Sequence, residues 1–153
     1  LQVILLNAQR MFAQEAAQKG LALRVVPSSL AVQVPPIDVI RIVSNLVANA
    51  VRYTEEGRIL IGVRRRQGRA AIEVWDTGPG IAPDQLDRLT QPYVRAAAPE
   101  APAGEGLGLA IARQLAEKNG LRLVICSRLG AGSLFAVEGL EIAPAAAPPL
   151  TRK

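Results

Sequence analysis

Residues 45–54 read NLVANAVRYT, a stretch in which apolar and polar side chains each recur with the spacing of a helix. The predicted helix begins at Pro35-Pro36, since proline is accepted in a first turn, and ends at about Tyr53. Asp38 lies in that first turn, where a carboxylate suits the helix dipole. The predicted core face consists of Ile40, Val43, Val47, Ala50 and Val51.

The opposite face of this helix is polar. Asn45 and Asn49 lie four residues apart and so share one side, which Arg41 and Arg52 extend. Asparagine is a poor residue inside a helix because its amide competes with the backbone. One interpretation is a solvated face. The other is a wall that binds a metal ion through amide oxygens and phosphates through guanidinium groups.

A second polar stretch, residues 76–80, reads DTGPG and follows an apolar strand directly. A carboxylate at a strand end beside two glycines can accept an N–H from a flat ligand that approaches the backbone closely, and adenine's amine is such a donor. A plain strand-to-helix turn accounts equally well for the glycines and the proline. It accounts less well for Asp76.

A third stretch, residues 104–109, reads GEGLGL and opens a predicted helix over Leu107–Lys118. Glycines at a helix N-terminus expose backbone N–H groups that favour phosphate. Alone, this glycine motif is weak evidence for a phosphate-binding site. A dinucleotide-binding βαβ unit is disfavoured, because residues 90–104 before it are irregular and no acidic residue follows at about 20 positions in the right context.

The remaining elements follow from local signals. A helix over residues 2–19 carries Val3, Leu6, Arg10 and Ala13 on one face, with Leu5, Phe12 and Ala16 beside it. A short helix is predicted over 83–89, and strands over 21–26, 31–34, 58–66, 69–76, 121–127 and 133–140. This order predicts an α/β fold, a two-layer sandwich whose mixed, mostly antiparallel sheet is covered on one face by helices.

Composition limits the possible functions. The chain has 153 residues, half of them apolar, which suits one domain over residues 1–142 followed by an Ala/Pro-rich linker or tail at 143–153. It has no histidine and a single cysteine, so histidine-based metal sites, histidine bases and an internal disulfide are excluded. Cys126 lies in an apolar run and is predicted to be a buried thiol.

The net charge is +5, but the densest basic run, residues 64–66 with Arg69, lacks interleaved aromatic residues and ends a strand. We therefore predict no nucleic-acid partner. The apolar runs are far shorter than a membrane span, and no signal-peptide pattern opens the chain. A cytoplasmic location is expected.

Together the three polar stretches resemble the ATP-binding fold, also called the Bergerat fold, of histidine kinases, type II topoisomerases, mismatch-repair ATPases and a heat-shock chaperone class. Residues 45–54 resemble the histidine kinase N box, residues 76–81 and 104–111 the two glycine boxes, and residues 130–135 the last hairpin. The resemblance covers about residues 1–140. It implies the ATP-binding catalytic domain of a sensor histidine kinase, either free in the cytoplasm or as the cytoplasmic part of a membrane-bound sensor.

The resemblance also implies roles for individual residues. Asn49 would ligate Mg²⁺ on the triphosphate, with Asn45 beside it, and Asp76 would accept from adenine's amine. The other implied nucleotide contacts are Arg52, Tyr53, Gly78, Gly80, Arg95, Gly104, Gly106, Leu107 and Gly108. Residues 90–104 would form a lid. The acceptor histidine would lie on a dimerisation domain of the same protein, and a response regulator or receiver domain would take the phosphoryl group onward.

Three positions depart from the family pattern. Thr90 stands where phenylalanine is expected, Glu105 where a small hydroxyl residue is common, and Pro35 where an aspartate often caps the helix. The first places the coupling of lid to helix in question, and the second puts a negative charge near the phosphates. None of the three removes a direct nucleotide contact.

Two other functions stay open. An ATP hydrolase or an anti-sigma serine kinase of the same superfamily would carry an acidic residue at position 45, whereas Asn45 cannot accept a proton at neutral pH. The second alternative is a module that binds nucleotide without catalysis, which the departures at Thr90 and Glu105 leave open.

Overall fold

A computed structural model describes residues 1–90 and 107–145. Within them the elements run α1 Gln2–Gln18, β1 Ala22–Val25, α2 Pro36–Tyr53, β2 Arg58–Arg66, β3 Arg69–Asp76, α3 Pro83–Thr90, α4 Leu107–Lys118, β4 Arg122–Arg128 and β5 Gly132–Glu141. The β2–β3 hairpin and α4 have the predicted bounds, because turn residues mark their ends locally.

The strands form one sheet in the order β1-β2-β3-β5-β4, with β1 parallel to β2 and every other pair antiparallel. Ile59 and Ile61 of β2 point into the core that α1, α2 and α4 share with the sheet, and both are fully buried. On the opposite face Leu60 and Trp75 remain 38% and 41% exposed. The predicted sandwich, with helices on one face of a mixed sheet, is confirmed.

Helix α2 lies between α1 and α4 and supplies the largest part of the helical core. Its buried apolar residues are Val39, Ile42, Val43, Leu46, Val47, Ala50 and Val51. Ile40 was predicted in this core and is 37% exposed, so that prediction is wrong. The buried stripe begins one residue earlier, at Val39, and one residue is a rotation of about 100° around a helix.

The sequence pattern did not decide which side of α1 is buried, and the predicted burial of Cys126 is wrong. In α1 the buried residues are Leu5, Ala8 and Ala16, whereas Val3 is 70% exposed. Both stripes of α1 are similarly apolar, so the packing against α2 decides between them. Cys126 is exposed rather than buried, because the β4 residues on either side of it, Ile125 among them, point toward the helices.

The predicted strand over residues 31–34 is reduced to a single bridge between Val32 and Ile142. Two backbone hydrogen bonds flank it, from Gln33 N to Glu141 O and from Ala143 N to Ala31 O. Pro35 follows at once and has no N–H to donate, so pairing cannot extend in that direction.

Candidate functional site

The polar side of α2 faces an open cleft. Asn45, Asn49, Arg52 and Tyr53 line this cleft of about 260 Å³ together with Ala48 and, across from α2, Leu107, Gly108, Leu109 and Ile111 at the start of α4. The apolar stripe of α2 is buried on the core side, so its amide groups remain available to the cleft. No carboxylate lies among the described residues that line it.

Asn45 joins the two walls of the cleft. Its Nδ2 donates to the carbonyl of Arg41 at 2.8 Å, which fixes the amide and leaves Oδ1 directed toward α4. A Cβ at Gly108 would lie 2.9 Å from that Oδ1, closer than atoms normally approach. Glycine at 108 therefore lets the start of α4 lie against the asparagine wall.

Asn49 and Arg52 differ from Asn45 in how they are held. Within the described part of the chain, no side-chain hydrogen bond restrains the half-buried amide of Asn49. The Arg52 guanidinium lies 5.8 Å from the centre of the Tyr53 ring, within the range of a cation–π contact. The wall thus presents an amide available to a ligand beside a paired cation and aromatic ring.

Asp76 ends β3 on the helix side of the sheet, since it pairs in register with buried Ile59 and Ser133. Its carboxylate accepts from the N–H of Gly78 at 2.9 Å. A Cβ at Gly78 would lie 3.3 Å from Thr54 Oγ1 and 3.4 Å from the carbonyl of Tyr53. The turn after β3 and the end of α2 therefore touch, and the two polar stretches meet there.

Burial raises the pKa of the Asp76 carboxyl above its usual value, and the backbone N–H groups of Gly78 and Ser133 offset this only in part. Thr54 beside it is fully buried, and its hydroxyl has no hydrogen-bond partner among the described residues. Buried polar groups are normally paired. A desolvated acceptor next to an unpaired hydroxyl indicates a binding site, either for a ligand that donates an N–H or for an ordered water.

The loop after Asp76 is held by the β4–β5 hairpin. Ser127 Oγ accepts from the N–H of Ile81 at 2.7 Å and lies 2.8 Å from Ser133 Oγ. The N–H of Gly130 donates to the carbonyl of Pro79 at 2.7 Å. These hydrogen bonds restrain the loop and so hold Asp76 in a fixed position, as a side chain that recognises a ligand requires.

The structure brings most of the predicted site residues together. Asn45, Asn49, Arg52, Tyr53, Leu107 and Gly108 share the cleft. Gly78, next to Asp76, lies beside the carbonyl of Tyr53, whose side chain lines the cleft. Gly80 instead packs against the backbone of Arg128, where a Cβ would meet the Arg128 carbonyl. Arg95, Gly104, Glu105 and Gly106 lie outside the described residues, as does the predicted lid from residue 91 onward; its first residue, Thr90, ends α3.

Known proteins resemble this chain in sequence and in fold. Residues 35–142 match the family described as histidine kinase-, DNA gyrase B-, and HSP90-like ATPase. The chain belongs to this family. Within it the likeness is to sensor histidine kinases: the histidine protein kinase DivJ of Caulobacter vibrioides is 39% identical over 134 residues, which make up 85% of this chain and 22% of DivJ.

Solved structures of this ATPase family agree. The full-length ShkA structure in complex with AMPPNP superposes with a TM-score of 0.79 at 31% identity, over 95% of this chain and 31% of that chain. The histidine kinase domain of the Escherichia coli osmosensor EnvZ superposes with a TM-score of 0.63 at 29% identity, over 100% of this chain and 92% of that one.

The chain spans less than a quarter of the length of the curated relatives it matches. Among residues 1–90 and 107–145, no helix is long and apolar enough to cross a membrane.

Three residues that complete or support the site were missed at the sequence level. They are Thr54, Ser127 and Lys19, whose ammonium donates to the carbonyl of Val51 near the end of α2 at 2.9 Å. Thr54 closes the motif at 45–54, which alone could have drawn attention to it. The contacts of Ser127 and Lys19 span 46 and 32 residues of sequence, and no local pattern encodes them.

Proposed function

We propose that this chain binds ATP with Mg²⁺ and is the catalytic domain of a sensor histidine kinase, transferring the γ-phosphoryl group to a histidine on a separate dimerisation domain. One observation carries the proposal: an asparagine and arginine wall faces the glycine-bearing start of α4, and a desolvated carboxylate adjoins it. That set matches a phosphate region and a base region of one nucleotide.

The base region depends on Asp76. Its half-buried, desolvated carboxylate would accept a hydrogen bond from the exocyclic amine of adenine, and Gly78 leaves room for a flat ring to approach the backbone. The Thr54 hydroxyl, buried beside Gly78, supplies a second polar contact to the base or to an ordered water.

The phosphate region suits a hydrated Mg²⁺. The described residues contain no cluster of three or more acidic, histidine or cysteine side chains, and Mg²⁺ bound to nucleotide takes most of its ligands from water and phosphate oxygens. The Asn49 amide oxygen would hold the ion, with Asn45 beside it. When bound, Mg²⁺ neutralises charge on the phosphates. Arg52 and the backbone at Gly108 bind and orient the phosphates from either side of the cleft.

A kinase is favoured over a hydrolase because the described lining of the cleft contains no carboxylate to activate water. The phosphoryl acceptor would be a histidine outside this chain, which contains none. A response regulator or receiver domain is the proposed next acceptor, and the cytoplasm the proposed location, in keeping with the sensor kinases among the relatives.

The test is transfer of γ-labelled phosphate from MgATP to the histidine-bearing domain of the same protein. We expect transfer by the wild-type chain and negligible phosphate release in the absence of the acceptor. Asn49→Ala should reduce transfer by about 10²-fold or more, because Mg²⁺ loses its amide ligand and the phosphates lose the ion that neutralises them. Asn7→Ala, a change at an exposed asparagine of α1, is the matched control and should retain transfer.

Two results would contradict this function. Normal transfer by Asn49→Ala would remove the metal-binding role of the asparagine wall. Phosphate release at about 10 s⁻¹, the scale of an ordinary enzyme, would show that water is the acceptor and that the chain is a hydrolase.

A further inference from the structure

Lys19, the first residue after α1, makes an unusual set of contacts with the end of α2. Its Nζ donates to the carbonyls of Val51 and Arg52 at 2.9 Å each and to the carbonyl of Thr54 at 3.2 Å. An ammonium group has three N–H donors, so all three are used. The Lys19 side chain is only 26% exposed.

These contacts answer a specific need of α2. The last carbonyls of a helix have no partner within the helix, and they form the negative end of its dipole. Lys19 supplies both the missing donors and a positive charge. The nearby Glu55 carboxylate, 3.7 Å away and 82% exposed, adds little, because exposed ion pairs are weak in water.

The segment held by Lys19 is the junction between the two parts of the site. The bonded segment, residues 51–54, includes Arg52 and Tyr53, whose side chains line the cleft. The Tyr53 carbonyl and the Thr54 hydroxyl both face Gly78, next to Asp76. A shift of residues 51–54 would therefore move the phosphate wall relative to the adenine carboxylate.

We propose that Lys19 is a positioning residue for nucleotide binding: from outside the cleft, its ammonium fixes the end of α2 so that Arg52, Tyr53 and Asp76 face one ligand. The proposal rests on the ATP-binding function proposed above. Through Lys19 the C-terminal end of α1 is connected to the nucleotide site, so a displacement of α1 would change the affinity for ATP.

Lys118 provides a matched control. Its Nζ lies 3.3 Å from the Asp38 carboxylate at the N-terminal end of α2, and none of the described residues that line the cleft lies at that end. Substituting either lysine removes one cation that binds α2. Only Lys19 is expected to affect the nucleotide.

The test is calorimetric titration of this chain with MgATP, at a temperature where circular dichroism shows every variant folded. We expect Lys19→Met to raise the dissociation constant about tenfold, as the loss of charge-assisted hydrogen bonds would. Lys118→Met should stay within about twofold of wild type, and Lys19→Arg, which restores donors and charge, within about threefold. Should Lys19→Met not fold, Lys19→Gln replaces it, since its amide keeps two donors without the charge.

Wild-type affinity in the uncharged variant would overturn the positioning role. An equal loss in Lys118→Met, or a failure of Lys19→Arg to rescue binding, would assign Lys19 to general stability instead. A wild-type chain that gives no binding heat would overturn the proposed function itself, and this inference with it.

Discussion

The two ends of α2 each lie beside a buried or half-buried aspartate, and the pKa values of the two carboxyls are shifted in opposite directions. At the N-terminal end, the Asp38 carboxylate accepts from Asn119 Nδ2 at 3.0 Å and from Lys118 Nζ at 3.3 Å. The Asn119 hydrogen bond, together with Lys118, lowers the pKa of Asp38 despite its burial. At the C-terminal end, burial raises the pKa of Asp76.

The difference separates a structural carboxylate from one reserved for a ligand. Asp38 finds its partners within the protein and joins the start of α2 to the end of α4. Asp76 receives backbone N–H groups but too few to offset its desolvation, and it lies beside the unpaired hydroxyl of Thr54. An acceptor whose partners are incomplete in the folded protein is the group that a ligand completes.

The largest expected effect concerns the glycines near each end. Gly132 has a φ of +124°, and a Cβ there would meet the carbonyl of Asp76, whereas Gly120 has a φ of +69° and open space around it. We expect Gly132→Ala to lower the free energy of unfolding by roughly 4 kcal/mol or more. Gly120→Ala should lower it by only about 1–2 kcal/mol. Urea unfolding of both variants measures the difference, and equal losses would show that the Asp76 end is not tightly packed.

A second expectation concerns the base. Guanine presents a carbonyl where adenine presents its amine, so two acceptors would face each other at Asp76. We expect the chain to bind ATP roughly tenfold to 100-fold more tightly than GTP. Asp76→Asn should shrink this preference, since an amide can donate to guanine. Titration of both proteins with both nucleotides tests the assignment, and equal wild-type affinities would remove the adenine contact.

The smallest effect is the dependence of stability on pH. Because the folded pKa of Asp38 is lowered, its contribution is present above the unfolded pKa and is lost as pH falls through the folded pKa. Because that of Asp76 is raised, stability is lost as pH rises from the unfolded pKa through the folded one. Urea unfolding from about pH 3 to pH 7 should show Asp38→Asn losing, and Asp76→Asn gaining, stability at the upper limit. The same sign of change in both variants would contradict the comparison.

Local signals were enough to predict the elements that position the site. The β2–β3 hairpin and α4 are bounded by turn residues, and the spacing of Asn45 and Asn49 is a property of any helix. Burial of Ile40 or Cys126 was mispredicted because the side that is covered depends on which elements pack together, and only the assembled fold decides that.

The contacts that support the site could not be predicted from the sequence either, because they depend on how distant parts of the chain pack together. Lys19 and Val51 are 32 residues apart, and a lysine after a helix is ordinarily a solvated side chain. The hydroxyl of Thr54 gains significance only through its burial beside Gly78. The departures at Thr90 and Glu105 remain sequence observations, since the Glu105 residue and the Thr90 side chain lie outside what the structure describes.

The most direct test of the contrast between the two aspartates is the affinity for MgATP of Asp76→Asn and Asp38→Asn, measured by calorimetric titration beside the wild-type chain. Asp76→Asn should bind at least about tenfold more weakly, because a charge-assisted hydrogen bond becomes a neutral one, and Asp38→Asn should stay within about twofold of wild type while unfolding more readily. Wild-type affinity in Asp76→Asn, or an equal loss of affinity in both variants, would contradict the division of the two ends of α2 into a structural end and a ligand-binding end.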